Sequence, residues 1–521
     1  MEATVMPTQP VGLVSQLYGH LNVANTTIGL IVGFVLYWVG ASIYSLYFHP
    51  LSKYPGPRLW AISRLPYAFY LRKGKLPQTV KTLHDRYGTI IRIAPDELSF
   101  VDSAAWKDIM VPKPGHGPFD KWTKYLNPAV NGAYSVLTHP TTEGHARIKR
   151  QLNHGFSDKA LLAQESMFQG HVDLLVDRIR TAVDGGEKNL DMYKWYVWAT
   201  ADIMGDLVFG ESFGCLEDGK HHHWVSILIK QFTSVVDLTC LRFFAITRKL
   251  IEWYIPEKMQ KRRREIHGYA VEKVNKRLNT DTDRPDFMYY MQRQNKDAVP
   301  MTREEIDSTM STLIIAGGET TATFLSGITF YLVQYPEVLR KLEAEIRGAF
   351  KSEDEINAIT TNKLPYFNAC VNEGLRLCPA VPFGHPRVVP PGGDEVCGQR
   401  LPGGTKLTLM AWAMYRCERN FKNAAAFYPE RWLSWNGYDD RDAFEPFSLG
   451  PRNCIGKNLA LVEFKIILAR TFFNFDLSLP EGKRDMGWEW GDQNIFMLWQ
   501  CAPMVVRVRE AKRNVEHEVT L

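Results

Sequence analysis

Between Glu2 and Lys53 the chain has no Asp, Glu, Lys or Arg. A charge-free stretch of that length does not belong on an ordinary solvated surface. Within it, Ile28 to Phe48 reads IGLIVGFVLYWVGASIYSLYF, about the 20 residues that cross roughly 30 Å of hydrocarbon as a helix. Tyr37, Trp38, Tyr44 and Tyr47 suit the aromatic belts at the interfaces. A buried core helix is the plainer alternative. A cleaved signal peptide would need a basic segment ahead of the apolar run, and there is none. Lys53, Arg58, Arg64, Arg72, Lys73 and Lys75 all follow the span and no Lys or Arg precedes it, which puts the body of the chain on the cytosolic side. Asn25-Thr26-Thr27 is a sequon that would face the lumen, too near the bilayer to be modified.

Other absences narrow the function. The cysteines at 215, 240, 370, 378, 397, 417, 454 and 501 form no CxxC pair and no zinc spacing, which argues against a disulfide framework or a zinc site. Reduced thiols fit a cytosol-facing domain. The net charge of +5 and the single basic run Lys261–Arg264 leave no nucleic-acid footprint; that run reads as a solvated helix face. His221-His222-His223 reads as an exposed loop rather than a metal site. No Gly/Ser linker, repeat or low-complexity tract interrupts the chain after Tyr54-Pro55-Gly56-Pro57, a stiff non-helical hinge. The expected division is a lumenal N-terminus over 1–27, an anchor over 28–48, a proline-rich hinge over 49–58 and one globular domain over 59–521.

Within the globule, Thr89–Val101 alternates β-branched runs with turn residues and reads as a small sheet, with strands returning at Arg387–Leu409 and at the C-terminus. From His145 onward most of the pattern is helical. Thr302-Arg303-Glu304-Glu305 is a capping box, opening a long helix that runs to about Gln334 before Pro336. In its middle lies Ala316-Gly317-Gly318-Glu319-Thr320-Thr321. Two interior glycines each cost about 1 kcal/mol relative to alanine. They serve either close helix packing or a local opening into which Glu319 and Thr320 deliver protons.

Glu373-Gly374-Leu375-Arg376 sets opposite charges on one helix face. A second copy, Glu337–Arg340, reads as a surface pair. Only Glu373 is followed by Pro429-Glu430-Arg431-Trp432, so a buried carboxylate shared by Arg376 and Arg431 would be a structural clamp. FSLGPRNCIG, residues 447–456, then places Cys454 after a tight turn and ahead of the helical run IGKNLALVEFKIILARTFF. A thiol there meets amide N–H groups and a helix dipole, which favour the thiolate. Gly456 lets a flat ligand approach the backbone, and Arg452 reaches an anionic group on it. One thiolate and no nearby histidine suit haem iron better than nucleophilic catalysis.

FSLGPRNCIG, AGGETT, ExxR and PERW, in this order and spacing, resemble a cytochrome P450 over the whole chain after the anchor. The resemblance implies a mainly α fold with a small β-rich lobe, and haem b held by Cys454 within the FxxGxRxCxG motif that Phe447 opens and Gly456 closes. It implies Thr320 with Glu319 as the acid–alcohol pair, Glu373, Arg376 and Arg431 as the supporting triad, and Arg452 and Arg387 on the haem propionates. The family's Trp or His followed four places on by Arg is met here by His145 and Lys149. His145 is carried over, while the Arg position is unmatched and Arg150 is its nearest substitute. HPLSKYPGP and PRVVPPGG resemble fungal microsomal members of secondary metabolism, including trichothecene-type hydroxylases.

The implied activity is insertion of one oxygen atom of O2 into a lipophilic terpenoid, polyketide or alkaloid. No flavin segment and no GxGxxG after a strand is present, so electrons would come from NADPH through a separate cytochrome P450 reductase, with or without cytochrome b5. Lys457, Lys465, Arg147 and Lys149 are the expected basic face for that partner. The implied location is the endoplasmic reticulum membrane, single-pass, with the catalytic domain cytosolic. Two other classes stand beside this one: a haem-thiolate isomerase or dehydratase needing no reductase, and a non-catalytic haem-binding module.

Overall fold

The computed structural model describes residues 23–126, 128–230, 232–245, 247, 249, 257–292, 299–435 and 437–512. Helix Val23–Ile43 continues through a π-turn at Tyr44–Phe48, and Asn25–Phe48 is a candidate membrane span whose apolar window is unburied. Two further helices, His223–Arg242 and Arg303–Gln334, are long and apolar enough to span a membrane, but the second is largely buried in the protein.

The segment after the π-turn is non-helical, yet it is no free hinge. Leu51 is fully buried, the Arg92 amide donates to Pro55 O at 2.8 Å, and a Cβ on Gly56 would lie 2.4 Å from Arg92 O. Arg92, itself buried, donates to Ser45 O at 2.7 Å and Ser45 Oγ at 3.0 Å, while Ser45 Oγ donates to Ala61 O at 2.5 Å. The prolines end the helix as their chemistry dictates. The buried arginine then fixes the connection.

Two apolar cores follow. The smaller lies around a five-stranded sheet in the order Ile90–Ala94, Glu97–Phe100, Lys406–Leu409, Arg387–Val388, Asp120–Lys121. Its strands come from both ends of the globule: Glu97–Phe100 pairs in parallel with Lys406–Leu409, and Lys121 stands opposite Arg387 in an antiparallel pair. Three more strands, Asn189–Asp191, Val505–Glu510 and Phe475–Ser478, form a separate sheet. The larger core is helical, built from Asp158–Asp184, Met192–Phe209, Pro336–Ala349, Pro365–Leu377 and Lys457–Asn474 around the 32-residue central helix Arg303–Gln334. The fold is mostly helical with small β-sheets.

The central helix starts where its capping box says it should. Thr302 Oγ1 accepts from Glu305 N at 3.2 Å, and Glu305 Oε2 accepts from Thr302 N at 2.9 Å. Its end at Gln334 precedes Pro336, the first residue of the next helix. The helix is continuous through Ala316–Thr321, which settles the role of the glycine pair. A Cβ on Gly317 would stand 2.4 Å from Met204 Sδ, and Gly318 O accepts from Thr200 Oγ1 at 2.9 Å. Of the two readings the sequence left open, close packing is the one the helix shows: the glycines let helix Met192–Phe209 pack close.

Candidate active site

The Cys454 loop is shaped before it is functional. Ser448 and Gly450 both have positive φ, and a Cβ on Gly450 would fall 1.9 Å from Met110 O, so only glycine fits there. The Asn453 amide donates to Gly450 O at 3.1 Å and the Cys454 amide to Phe447 O at 2.9 Å, folding the loop back on itself. Helix Lys457–Asn474 starts three residues past the thiol, with Gly456 as its N-cap. The Gly456 amide acts on the Cys454 sulfur in the direction that favours the thiolate. A Cβ on Gly456 would meet nothing nearer than Phe156 at 3.9 Å and Cys454 Sγ at 4.0 Å, so the space over the loop is open.

Cys454 carries accessible surface even though the surrounding protein desolvates it. Both facts hold if the sulfur faces an enclosed space rather than bulk water. Burial pushes the thiol pKa up, against the Gly456 amide, Lys149 and Lys457, which pull it down. The thiolate preference expected from the helix start is therefore outweighed by desolvation. The central helix has one exposed position of its own. Between Ile306 and Gln334, Ala316 is the one exposed residue among those described, in a stretch otherwise directed into the core.

Close to the cysteine loop, which Arg452 belongs to, sits a group of buried basic side chains. Lys121, His145, Arg387 and Arg452 are each less than one-tenth exposed. Lys121 donates to Leu137 O at 2.8 Å, Arg387 to Phe119 O at 3.1 Å, and Arg452 to His139 O at 2.9 Å and Pro140 O at 3.0 Å. His145 Nδ1, Arg387 Nε and Arg452 Nε have no partner. Among the described residues, the carboxylate within ion-pair reach of these groups is exposed Asp120, 3.9 Å from Arg452. Like charges opposed across a strand pair, as Lys121 and Arg387 are, destabilise a sheet. Burial, then mutual repulsion, drives Lys121 well below its ordinary pKa, Arg387 to about 10 and His145 to about 3. Uncompensated buried charge of this kind fits a site built for an anion.

Lys121 has no signal in the sequence, because its pairing with Arg387 spans most of the globule. Lys149 turns out to serve the cysteine loop: its Nζ donates to Pro451 O and Asn453 O, both at 3.0 Å, and to Asn453 Oδ1 at 2.5 Å. Arg150, the substitute suggested by the sequence, is exposed. It sits one residue from the His145–Lys149 face, and i,i+4 spacing favours Lys149 over it. The expected basic docking face also thins out. Arg147 pairs with Glu305, Lys465 donates to Asn362 Oδ1 at 2.6 Å and Lys149 is engaged, leaving Lys457 exposed.

On the central helix, Glu319 is buried, and burial raises its pKa to about 7 against a hydrogen bond from Tyr193. Thr320 Oγ1 donates to Ala316 O at 2.5 Å. Thr321 Oγ1 donates to Glu463 Oε2 at 3.2 Å; Glu463 Oε1 is unpartnered, and burial raises this acid to about 8. Sequence reasoning missed Glu463, although one acid in the apolar run of helix Lys457–Asn474 was a visible signal.

Glu373 is shared between two arginines, all three side chains being essentially solvent-free. Arg376 donates to Oε1 at 2.7 Å and Oε2 at 2.9 Å, Arg431 to Oε1 at 3.1 Å, Trp432 Nε1 to Oε2 at 2.9 Å and the Tyr428 amide to Oε1 at 2.9 Å. Glu337 and Arg340, by contrast, are an exposed surface pair. The His221–His223 run forms no metal-competent cluster among the described residues.

An accessible thiol and a group of buried basic side chains occur here, with a long helix carrying a buried acid and a hydroxyl, in a mostly helical fold. The cytochrome P450 family model matches residues 54–492. The chain is 38% identical over 506 residues to cytochrome P450 monooxygenase atr2 of Stereocaulon alpinum, covering 96% of this chain and 99% of that protein. It is 39% identical over 484 residues to cytochrome P450 monooxygenase aclL of Aspergillus oryzae, covering 92% and 97%. It is also 39% identical over 484 residues to averantin hydroxylase of Dothistroma septosporum, covering 92% and 90%. The chain belongs to the cytochrome P450 family. It is a monooxygenase whose cofactor is haem iron.

Proposed function

We propose that Cys454 is the protein ligand of haem iron, that Lys121, His145, Arg387 and Arg452 receive the haem propionates, and that Thr320 with Glu319 supplies protons to the reaction. One observation carries the reading: an accessible sulfur stands near buried basic side chains whose carboxylate within ion-pair reach, among the described residues, is the exposed Asp120. The residues present fit haem b, a flat group with two carboxylates and an iron that takes a soft donor. Bound by a thiolate, haem supplies O2 activation, the sulfur pushing electron density that favours O–O cleavage.

The protein's contribution is to hold and move protons. The Thr320 hydroxyl spends its own proton on the Ala316 carbonyl. Its oxygen lone pairs are therefore the free valence, and they accept from a water that becomes the positioned donor. Glu319, buried and titrating near neutrality, recharges that water. Thr320→Ala is expected to load haem normally and to oxidise NADPH with reductase, but to release hydrogen peroxide in place of product, a loss of about 10²–10⁴-fold in the proton-transfer step. Product formed per NADPH, with peroxide counted alongside, checks it. Wild-type coupling in Thr320→Ala on the true substrate removes the acid–alcohol role. Because the acid form donates, wild-type coupling should decline as pH rises through about 7.

The cation group gives a second test. Lys121→Met removes a repelled buried charge, so the haem-free protein should melt higher. It also removes a charged donor to a propionate, so haem affinity should fall by about 1.5–3 kcal/mol. Thermal melting of the haem-free protein and haem titration followed by absorbance measure the two effects. Unchanged haem affinity would exclude Lys121 from the propionate site.

The substrate is a lipophilic small molecule of fungal secondary metabolism, a terpenoid, polyketide or alkaloid, and the electrons come from NADPH through a separate reductase at the endoplasmic reticulum membrane. The apolar span Asn25–Phe48 supports the membrane location, and the fungal relatives named monooxygenase and averantin hydroxylase support oxidation of a small molecule. The first probe is averantin, the compound in one relative's name. A type I spectral shift identifies a ligand, and extracts screened the same way widen the search.

A further inference from the structure

Two tyrosines on helix Met192–Phe209 reach the central helix, and they differ in kind. Tyr196 is fully buried and shares a 3.0 Å hydrogen bond with Thr329 Oγ1, a core contact. Tyr193, one turn earlier, is half-buried, and its phenol donates to Glu319 Oε1 at 3.2 Å. It stands second in its helix, straight after Asn189–Asp191, an edge strand of its sheet. Lys194 beside it is exposed and Asp191 is half-buried. Tyr193 keeps part of its surface exposed at the start of its helix, while its phenol, desolvated by its surroundings, meets the buried acid.

We propose that Tyr193 is a positioning residue that reloads Glu319 with protons from solvent. The inference rests on the reading of Glu319 as the proton-supplying acid. After Glu319 has given up its proton, its carboxylate accepts the phenol hydrogen bond. The phenol O–H bond breaks toward Oε1 as a new O–H bond forms on the phenol oxygen with a proton from solvent hydronium, which is left as water. One proton moves inward, the phenol is restored, and nothing is oxidised or reduced. The other titratable groups facing this pair are Cys501, on the C-terminal segment, and Asp191, on the edge strand, with Cys378 behind Cys501. Thr323 also contacts Cys501, Oγ1 to Sγ at 3.7 Å. Neither thiol titrates near neutrality, since burial pushes both upward.

The test uses the full-length, haem-loaded chain and needs no known substrate. Infrared difference spectra across a pH titration follow the protonated carboxyl of Glu319, identified by its loss in Glu319→Gln. In parallel, NADPH electrons delivered by reductase without added substrate are divided between water and hydrogen peroxide. In Tyr193→Phe the carboxyl should titrate higher than in wild type, because its carboxylate has lost a donor. Water formation should fall on the order of 10²-fold in favour of peroxide, as in Glu319→Gln. Haem content should stay unchanged. If Glu319→Gln diverts electrons to peroxide and Tyr193→Phe does not, the relay is overturned while the acid role stands, and a shifted carboxyl titration would not rescue it. If Glu319→Gln itself diverts nothing, the reading of Glu319 falls and the relay with it.

Discussion

Cys454→Ser is expected to lose the red-shifted Soret band of the ferrous–CO complex and all monooxygenase turnover. The change replaces a soft, anion-forming sulfur by a hydroxyl that stays protonated at neutral pH and is a poor iron ligand. The backbone has no reason to move. The loop is set by Ser448 and Gly450 and by the amides of Asn453 and Cys454, none of which involves the side chain of residue 454. Lys149 still ties Pro451 and Asn453 from outside. Haem-free Cys454→Ser should therefore melt close to wild type, which separates loss of the ligand from loss of the fold. Retention of the red-shifted band with normal haem content would mean that the iron is held elsewhere.

Glu373→Ala is expected to give little or no haem-loaded protein. Its carboxylate accepts five hydrogen bonds from Arg376, Arg431, Trp432 and the Tyr428 amide. Removing one partner of a buried charge network costs roughly 3–5 kcal/mol, a fifth or more of the ~5–15 kcal/mol that holds a typical domain together. The two arginines are not stranded equally. Arg431 keeps Asp439 at 2.6 Å, whereas Arg376 is left with the carbonyls of Tyr415, Ala424 and Ala426. Those carbonyls belong to the segment leading to the cysteine loop, so the damage should spread to haem binding. Urea unfolding of the haem-free protein and the haem-to-protein ratio measure the effect. A stable, fully loaded Glu373→Ala would show the clamp to be dispensable.

What could be read from the sequence was whatever is encoded by close spacing. The turn before Cys454, the capping box at Thr302 and the i,i+3 pair Glu373–Arg376 are each written within a few residues. The glycine pair in the central helix left two readings open, because a packing neighbour 113 positions earlier, Met204, decides between an opened helix and a close-packed one. Lys121 stayed hidden for the same reason: its significance is the strand pair with Arg387, which no local pattern announces. Tyr193 has an ordinary place at a helix start, and only the packing of two helices gives it a carboxylate to meet. The Cys454 thiol shows a different limit. The dipole and amide were legible, but the desolvation that outweighs them depends on what surrounds the loop in space.

The contact between Arg92 and the π-turn at Tyr44–Phe48 makes the apolar N-terminal helix a lever arm instead of a tether. A flexible leash would let the globule swivel freely over a bilayer. Here Ser45, Ala61 and Gly56 are seated on the sheet lobe, so tilting the helix turns the lobe with it. With that helix in a membrane, the attitude of the whole enzyme is set by how Asn25–Phe48 lies in the lipid. The side of the globule that faces the membrane is then chosen by a buried arginine about 45 residues beyond the span.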